Sequence, residues 1–244
     1  MNTSSASGRL RAKLSLVEAG PHGATAALWR ADRPRERYLA YLVTMHQVIR
    51  ASVPLMERAA DLADRAAPCG ADPLAAPLAR YLRAHVLEEA GHDAWLLEDL
   101  AAAGVDTRAV TLAVPPPDVA ALTGAQYYWA EHHHPLALVG YIAVLEGHAP
   151  AARLGAALAR RTRLPEAAFR TVQAHAQLDA GHVDDVHALL DSLPLTGRDE
   201  ALLAVSALHT VDALTRIFVR LGRRAPAAVP LRETGRPTPT GGPG

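Results

Sequence analysis

The chain has 244 residues, of which 50% are hydrophobic and 20% are charged, a size and composition that suit one sizeable globular domain. Lysine and arginine together number 25, as do aspartate and glutamate, so the formal net charge is zero. This balance gives no basic excess that would favour a nucleic acid or an anionic membrane as a partner. The single cysteine, Cys69, cannot form an internal disulfide or a cysteine-rich metal site.

The two ends of the chain differ in composition from its middle. Residues 1–20 are polar and then basic, with no apolar signal-peptide segment, so we expect them to be disordered and the protein to be cytoplasmic. Residues 224–244 are rich in proline and glycine, which predicts a disordered tail. The predicted domain therefore spans residues 21–223, where we find no apolar run of the roughly 20 residues that a membrane span needs.

Within this domain, apolar residues recur every three or four positions and alanine, leucine and arginine dominate, which predicts helices. In chain order, the predicted helices cover residues 35–66, 73–103, 124–148, 150–162, 165–192 and 199–221. Pro54 should kink the first of them. Because no segment shows the alternation typical of a strand, the expected fold is all-α, a single bundle of six to seven helices.

The second predicted helix carries Glu89 and His92 three residues apart, with His85 one turn earlier. Carboxylate-bridged di-iron bundles use this Glu-x-x-His spacing on paired helices. Taken alone, the pair is more typical of a solvated helix surface, because glutamate is common in helices.

The third predicted helix ends its apolar stretch, residues 136–145, at Glu146. A buried carboxylate without a partner is unfavourable, and a bound dication is one way to neutralise it. The alternative is a glutamate at a helix end in water.

The fifth predicted helix places His175, Asp179 and His182 on one face, at spacings of four and seven residues. Two imidazoles and a carboxylate can bind one metal ion, and oxygen with imidazole ligands suits iron or manganese. A solvated face or a satisfied buried network is the alternative for this helix alone. Because three helices carry such residues, the sequence predicts ligands for about two metal ions.

These motifs resemble those of the haem-oxygenase-like di-iron oxidases, a superfamily of iron-containing redox enzymes. The family pattern is a Glu-x-x-His helix, a later single glutamate and a His-x-x-x-Asp-x-x-His helix. The matching positions here are Glu89, His92, Glu146, His175, Asp179 and His182. The resemblance implies a haem-oxygenase-like fold, two irons per chain, O2 as co-substrate and an electron donor. It also implies oxidation of a small amino acid, amine or fatty acid, often in natural-product biosynthesis.

The same family usually adds a glutamate from the first long helix, and Glu57 is the candidate for that ligand. If Glu57 is instead a surface residue, His85 or Glu88 would complete the site. Tyr128 and His134, together with His85, are candidates for lining a substrate pocket or supporting the ligands. Core packing is the alternative for the tyrosine.

Other functions remain open at this point. The chain is alternatively an iron- or haem-binding helical protein without oxidase chemistry, with His46 as the candidate haem ligand. A thiamin-salvage relative of the same fold would need a cysteine beside a carboxylate, whereas Cys69 falls in a predicted loop. A helical interaction module without a site is the last alternative, and a homodimer is possible for any of them.

Overall fold

A computed structural model describes residues 5–67, 72–148, 150–223 and 229–232, without the side chains of residues 178–180. Over these residues the fold is all-α, as predicted, with eleven α-helices and no β-strand. The helices are α1 (Ala6–Ser15), α2 (Ala19–Arg30), α3 (Pro34–Ala66), α4 (Ala75–Glu89), α5 (His92–Ala102), α6 (Thr107–Leu112), α7 (Pro117–His132), α8 (Ala137–Gly147), α9 (Leu154–Thr162), α10 (Arg170–Ser192) and α11 (Gly197–Arg223). A 3₁₀ turn, Glu166–Phe169, precedes α10.

The two longest helices, α3 and α11, organise the bundle. Helix α3 packs mainly against α4, α5 and α7, whereas α11 packs against α2, α7 and α8. By length and composition alone α11 is able to cross a membrane, contrary to the expectation that no such segment exists. Half of its most apolar window is buried inside the fold, which identifies α11 as a core helix.

The helix count exceeds the prediction because two predicted helices are each divided and because α1, α2 and α6 lie outside the predicted helices. The segment 73–103 breaks between α4 and α5, where Ala90 is extended and Gly91 has a φ of 91°. The segment 124–148 breaks between α7 and α8 around Pro135, since proline lacks the N–H that a continuous helix requires and disfavours helical geometry before it.

The prediction that residues 1–20 are disordered is wrong from Ala6 onward. Helix α1 buries Leu10 and Leu14 in the main core, and Ser5 accepts a hydrogen bond from the backbone N–H of Gly8 at its start. Asp191 of α10 accepts two further bonds, from the backbone N–H and the hydroxyl of Ser7, each 2.8 Å long. These long-range contacts order a segment whose local composition is polar.

Most of the predicted C-terminal tail, residues 224–228 and 233–244, lies outside the described part of the structure, so its disorder stays a prediction. The short piece 229–232 packs beside the turn after α5. There Pro230 accepts a hydrogen bond of 2.8 Å from Asp106, and Gly104 accepts one of 2.9 Å from Arg232.

Helices α8 and α11 cross with their backbones in close contact at Gly140. A Cβ atom at this position would lie 2.5 Å from the carbonyl oxygen of Leu203 and 2.9 Å from the backbone nitrogen of Ala207. Only glycine fits such an approach. The crossing therefore fixes α8, whose last turn carries Glu146, against α11.

Candidate metal centre

Acidic and histidine side chains from α4, α5, α8 and α10 converge into two groups. The first group is His85, Glu89, Glu146 and His182, and the second is Glu89, His92 and His175. Within each group, one possible ligand atom from every residue lies within 4.8 Å of the others. All of these side chains are buried except that of His175, which is half-buried.

Glu89 belongs to both groups. Its Oε2 lies 3.0 Å from Nδ1 of His92, and its Oε1 lies 3.6 Å from Nδ1 of His182. The two oxygens of one carboxylate thus face histidines of different groups. A carboxylate in this position is able to bind one metal ion through each oxygen, as in the carboxylate-rich centres of helical bundles.

Glu146 joins the two histidines of the first group. Its Oε2 lies 3.1 Å from Nδ1 of His182, and its Oε1 lies 3.4 Å from Nε2 of His85. The glutamate follows the apolar run of α8 and is 9% exposed, so the sequence expectation of a buried carboxylate at this helix end is met. Burial of this kind requires the positively charged neighbours that the histidines or a metal ion supply.

The outer nitrogens of the histidines also have partners. Glu88 Oε2 lies 3.3 Å from Nδ1 of His85 and 3.7 Å from Nε2 of His182. In the second group, Nδ1 of His175 donates to the Thr171 carbonyl oxygen at 3.0 Å. Such contacts set the orientation of a ligand histidine and leave its other nitrogen available to a metal.

Burial and the neighbouring charges shift the pKa values of two residues of the centre, His85 and Glu89. Burial lowers the pKa of His85, but Glu146 and Glu89 outweigh this, so the pKa lies above the ordinary value of histidine. Burial raises the pKa of Glu89, but the histidines around it, His92 first, bring the pKa below the ordinary value of glutamate. Both shifts show that the cluster favours positive charge beside its carboxylates.

Residues 60–215, an interval that includes every residue of both groups, match the model of a protein family described as iron-containing redox enzymes. The chain belongs to this family of iron-containing redox enzymes. The resemblance found in the sequence motifs is thereby confirmed. Among curated protein sequences, none matches the chain.

Solved structures support the fold. A domain of unknown function with a haem oxygenase-like fold from Shewanella denitrificans OS217 is 18% identical, with a TM-score of 0.67 and 88% of each chain covered. A TenA homologue from Pseudomonas syringae pv. tomato DC3000 is 15% identical, with a TM-score of 0.62, covering 86% of this chain and 92% of its own. The predicted haem-oxygenase-like bundle is therefore confirmed.

The donor atoms of the two groups fit iron. Imidazole nitrogens and carboxylate oxygens are the ligands that non-haem iron takes in proteins. The buried carboxylates Glu89 and Glu146 lie side by side at His182, an arrangement that a dication neutralises. The family description, which names iron, agrees with this donor set.

The structure places the sequence-predicted ligands as follows. It brings together Glu89, His92, Glu146, His175 and His182. The side chain of Asp179 lies outside the described residues, so its assignment as a ligand stays a prediction.

Glu57 is not brought to the candidate centre. It is exposed on α3 directly after Met56, which is 2% exposed, because consecutive helical residues point about 100° apart. His85 instead completes the first group as a candidate ligand, the alternative that the sequence left open.

Two further candidates also lie elsewhere. Tyr128 is 57% exposed and packs against His132. His134 contacts Asp72 through Nε2 at 2.9 Å and accepts a hydrogen bond from the Leu136 N–H at the start of α8. Tyr128 lies within α7 and His134 lies in the bend between α7 and α8, a bend inside the segment that the sequence predicted as one helix.

Sequence reasoning missed Asp99, a fully buried carboxylate near the second group. Its Oδ2 accepts a hydrogen bond of 3.0 Å from the backbone N–H of Thr171, in the first turn of α10. Asp99 thereby holds the start of the helix that carries His175. The signal was present, because Asp99 follows His92 by seven residues and shares its face of α5.

A cavity of about 120 Å³ borders both groups. One wall is formed by His85, Glu89, Glu146 and His175. On α3 the lining residues are Tyr41, Met45, Ile49, Ser52 and Met56. The cavity gives a small molecule room beside the candidate ligands.

Proposed function

We propose that this iron-containing redox enzyme is a non-haem di-iron oxygenase or oxidase that uses O2 to oxidise a small substrate. The observation that carries the proposal is the shared carboxylate of Glu89, which belongs to both groups of candidate ligands. One iron would be held by His85, Glu146 and His182, and the other by His92 and His175, with Glu89 bridging them. Asp179 is a further candidate ligand from the sequence.

A pair of irons in such a centre supplies the reduction of O2 and the oxidising power for the substrate. The chain itself contributes binding, orientation and exclusion of water. The Thr171 carbonyl holds the ring of His175. The largely apolar cavity beside the centre would keep the substrate close to it and bulk water away from it.

The alternatives fit the described residues less well. A haem-binding role through His46 lacks support, because His46 does not line the cavity among the residues described. An iron-binding protein without oxidase chemistry explains the ligands, but it gives no role to the cavity beside them. The likeness to a TenA homologue concerns the fold alone and does not separate these functions.

The proposal also covers the location of the enzyme, its partners and its pathway. The enzyme would act on a small molecule in the cytoplasm, with an electron donor as a partner and without a nucleic acid or a membrane. Natural-product biosynthesis is the pathway type that the motif resemblance implies. A homodimer is compatible with this function and is not required by the candidate centre, whose described ligands come from one chain.

The test is to load the metal-free protein with Fe(II) anaerobically, remove unbound iron, and measure both bound iron and O2 uptake after mixing with aerated buffer. We expect two irons per chain, matching the two groups, and rapid O2 uptake. His182→Ala is expected to reduce both. Two bound irons without O2 uptake above that of a metal-free control would favour an iron-binding protein and contradict the oxidase proposal.

A further inference from the structure

The composition of the cavity beside the candidate centre restricts what it can bind. Apart from the wall of candidate ligands, its surface is mostly aliphatic and aromatic, including Met45, Ile49, Ile142, Leu214 and Phe218. Desolvation of an apolar ligand in such a space is favourable, as it is in a protein core.

The cavity offers little to a charged ligand. None of the described residues that line it is a lysine or an arginine, and the only carboxylates among these residues are Glu89 and Glu146 of the candidate centre. A carboxylate or an ammonium group pays a large desolvation penalty when it is buried without a partner. An amino acid carries both groups, and outside the candidate ligands no described lining residue is an acid, a lysine or an arginine that would pair with either of them.

The remaining polar groups in the cavity suit a neutral partner. The hydroxyls of Ser52 and Tyr141 lie 3.3 Å apart and hydrogen-bond to each other. His148 donates from Nδ1 to the Val144 carbonyl oxygen at 2.7 Å, which leaves Nε2 for one further hydrogen bond. These groups pair with a hydroxyl or a carbonyl without any need for charge.

The volume of the cavity sets the size of the group that lies beside the centre. The cavity, at about 120 Å³, is slightly smaller than the engineered apolar cavity of about 150 Å³ that binds benzene. A single six-membered ring or an equivalent branched chain therefore fills the space next to the centre.

We propose that the substrate is an uncharged molecule with a compact apolar skeleton, about one ring in size, and at most one neutral polar group. This inference rests on the proposed function only in calling the ligand a substrate, because it is argued from the side chains that line the cavity. The motif resemblance suggested amino acids and fatty acids. The cavity instead favours a neutral alcohol, aldehyde or ketone with an alicyclic or aromatic skeleton.

The test compares ligands of one shape and different charge. Cyclohexylmethanol, cyclohexylmethylamine, cyclohexanecarboxylate and phenylalanine are titrated calorimetrically into both the metal-free and the anaerobic Fe(II)-loaded protein. The alcohol is expected to bind at least about tenfold more tightly than each charged compound in both forms. Equal or tighter binding of a charged compound in either form, or no binding of the alcohol, would overturn the proposal.

Two variants of α3 locate the binding. Ile49→Trp fills the cavity and should abolish binding of the alcohol, whereas Val53→Trp, one turn later and outside the lining, should leave it. Iron content and helical circular dichroism show that both variants are folded. Loss of binding in Val53→Trp alone would place the ligand elsewhere and contradict the proposal. Binding of the alcohol without O2 uptake would leave this inference intact and refute only the oxidase function.

Discussion

Glu88 and Glu89 are consecutive residues, yet they approach the ring of His182 from opposite sides. Glu88 Oε2 lies 3.7 Å from Nε2 of His182, and Glu89 Oε1 lies 3.6 Å from its Nδ1. The inner carboxylate is 10% exposed and the outer one 49% exposed. One turn of α4 thus supplies both a candidate ligand and the group that orients two other ligands.

Glu88→Gln should weaken iron binding without removing either site. The amide keeps an acceptor near His85 and His182 but loses the negative charge, and partners of this kind change metal affinity by about 10–100-fold. The measurement is competition for Fe(II) with a chelator of known affinity. Glu57→Gln, an exposed glutamate on α3, is the matched control, and an equal loss of affinity in both variants would show that general surface charge is responsible.

Gly91→Ala and Gly181→Ala should change stability in opposite directions. Each glycine follows an alanine and precedes a candidate ligand histidine, and a Cβ atom at either site would meet nothing within 4 Å. Gly91 has a φ of 91°, so alanine there should cost about 1–2 kcal/mol. Gly181 lies within α10, so alanine there should stabilise the fold by about 0.5–1 kcal/mol.

Thermal unfolding of the two metal-free glycine variants measures their change in stability. The expected shifts are a few degrees, since about 1 kcal/mol moves the midpoint by about 2–4 °C in a protein of this size. A destabilised Gly181→Ala together with an unchanged Gly91→Ala would mean that the helix break lies elsewhere than between α4 and α5.

Asp99→Ala should destabilise the protein by about 1–3 kcal/mol, because it leaves the buried N–H of Thr171 without its acceptor. Asp99→Asn keeps an acceptor oxygen and should cost less. Urea unfolding measures both variants. Equal stability of Asp99→Ala and the wild type would show that this hydrogen bond does not hold the start of α10.

The attachment of α1 to α10 should weaken only in acid. Burial raises the pKa of Asp191, but hydrogen bonds from the backbone and hydroxyl of Ser7 outweigh it, so the pKa lies below the ordinary range. The stabilisation is therefore complete above the ordinary aspartate pKa of about 3.9 and is lost as the pH falls through the lower folded value.

Hydrogen exchange of the α1 amides over a range of pH tests this attachment. Protection of α1 should be independent of pH above about 5 and fall in acid. In Asp191→Asn the acid-dependent loss should disappear, because the amide does not titrate. Protection of wild-type α1 that rises as the pH falls would contradict the assignment.

The sequence was informative wherever helical periodicity alone decides the geometry. The seven-residue spacing of His175 and His182 placed both on one face of a single helix, and the structure has them on α10 facing one centre. The apolar run of α8 likewise indicated that Glu146 is buried. These features depend on local sequence and are therefore visible in it.

Tertiary packing decided the features that the sequence did not reveal. The tripeptide Ala-Gly-His occurs at residues 90–92 and at 180–182, yet it breaks a helix at the first place and continues one at the second. The choice between Glu57 and His85 depends on which face of α3 meets the centre, and neighbouring helices set that face. The ordering of α1 likewise comes from Asp191, which is distant in sequence.

The iron content of four proteins tests most directly whether two metal ions share Glu89. The wild type, Glu89→Ala, His175→Ala and Glu57→Ala are loaded anaerobically with Fe(II), desalted and assayed for iron. The two groups of candidate ligands predict two irons in the wild type and in Glu57→Ala, one in His175→Ala and none in Glu89→Ala. Full iron content in Glu89→Ala, or a loss in Glu57→Ala, would contradict a centre built around Glu89.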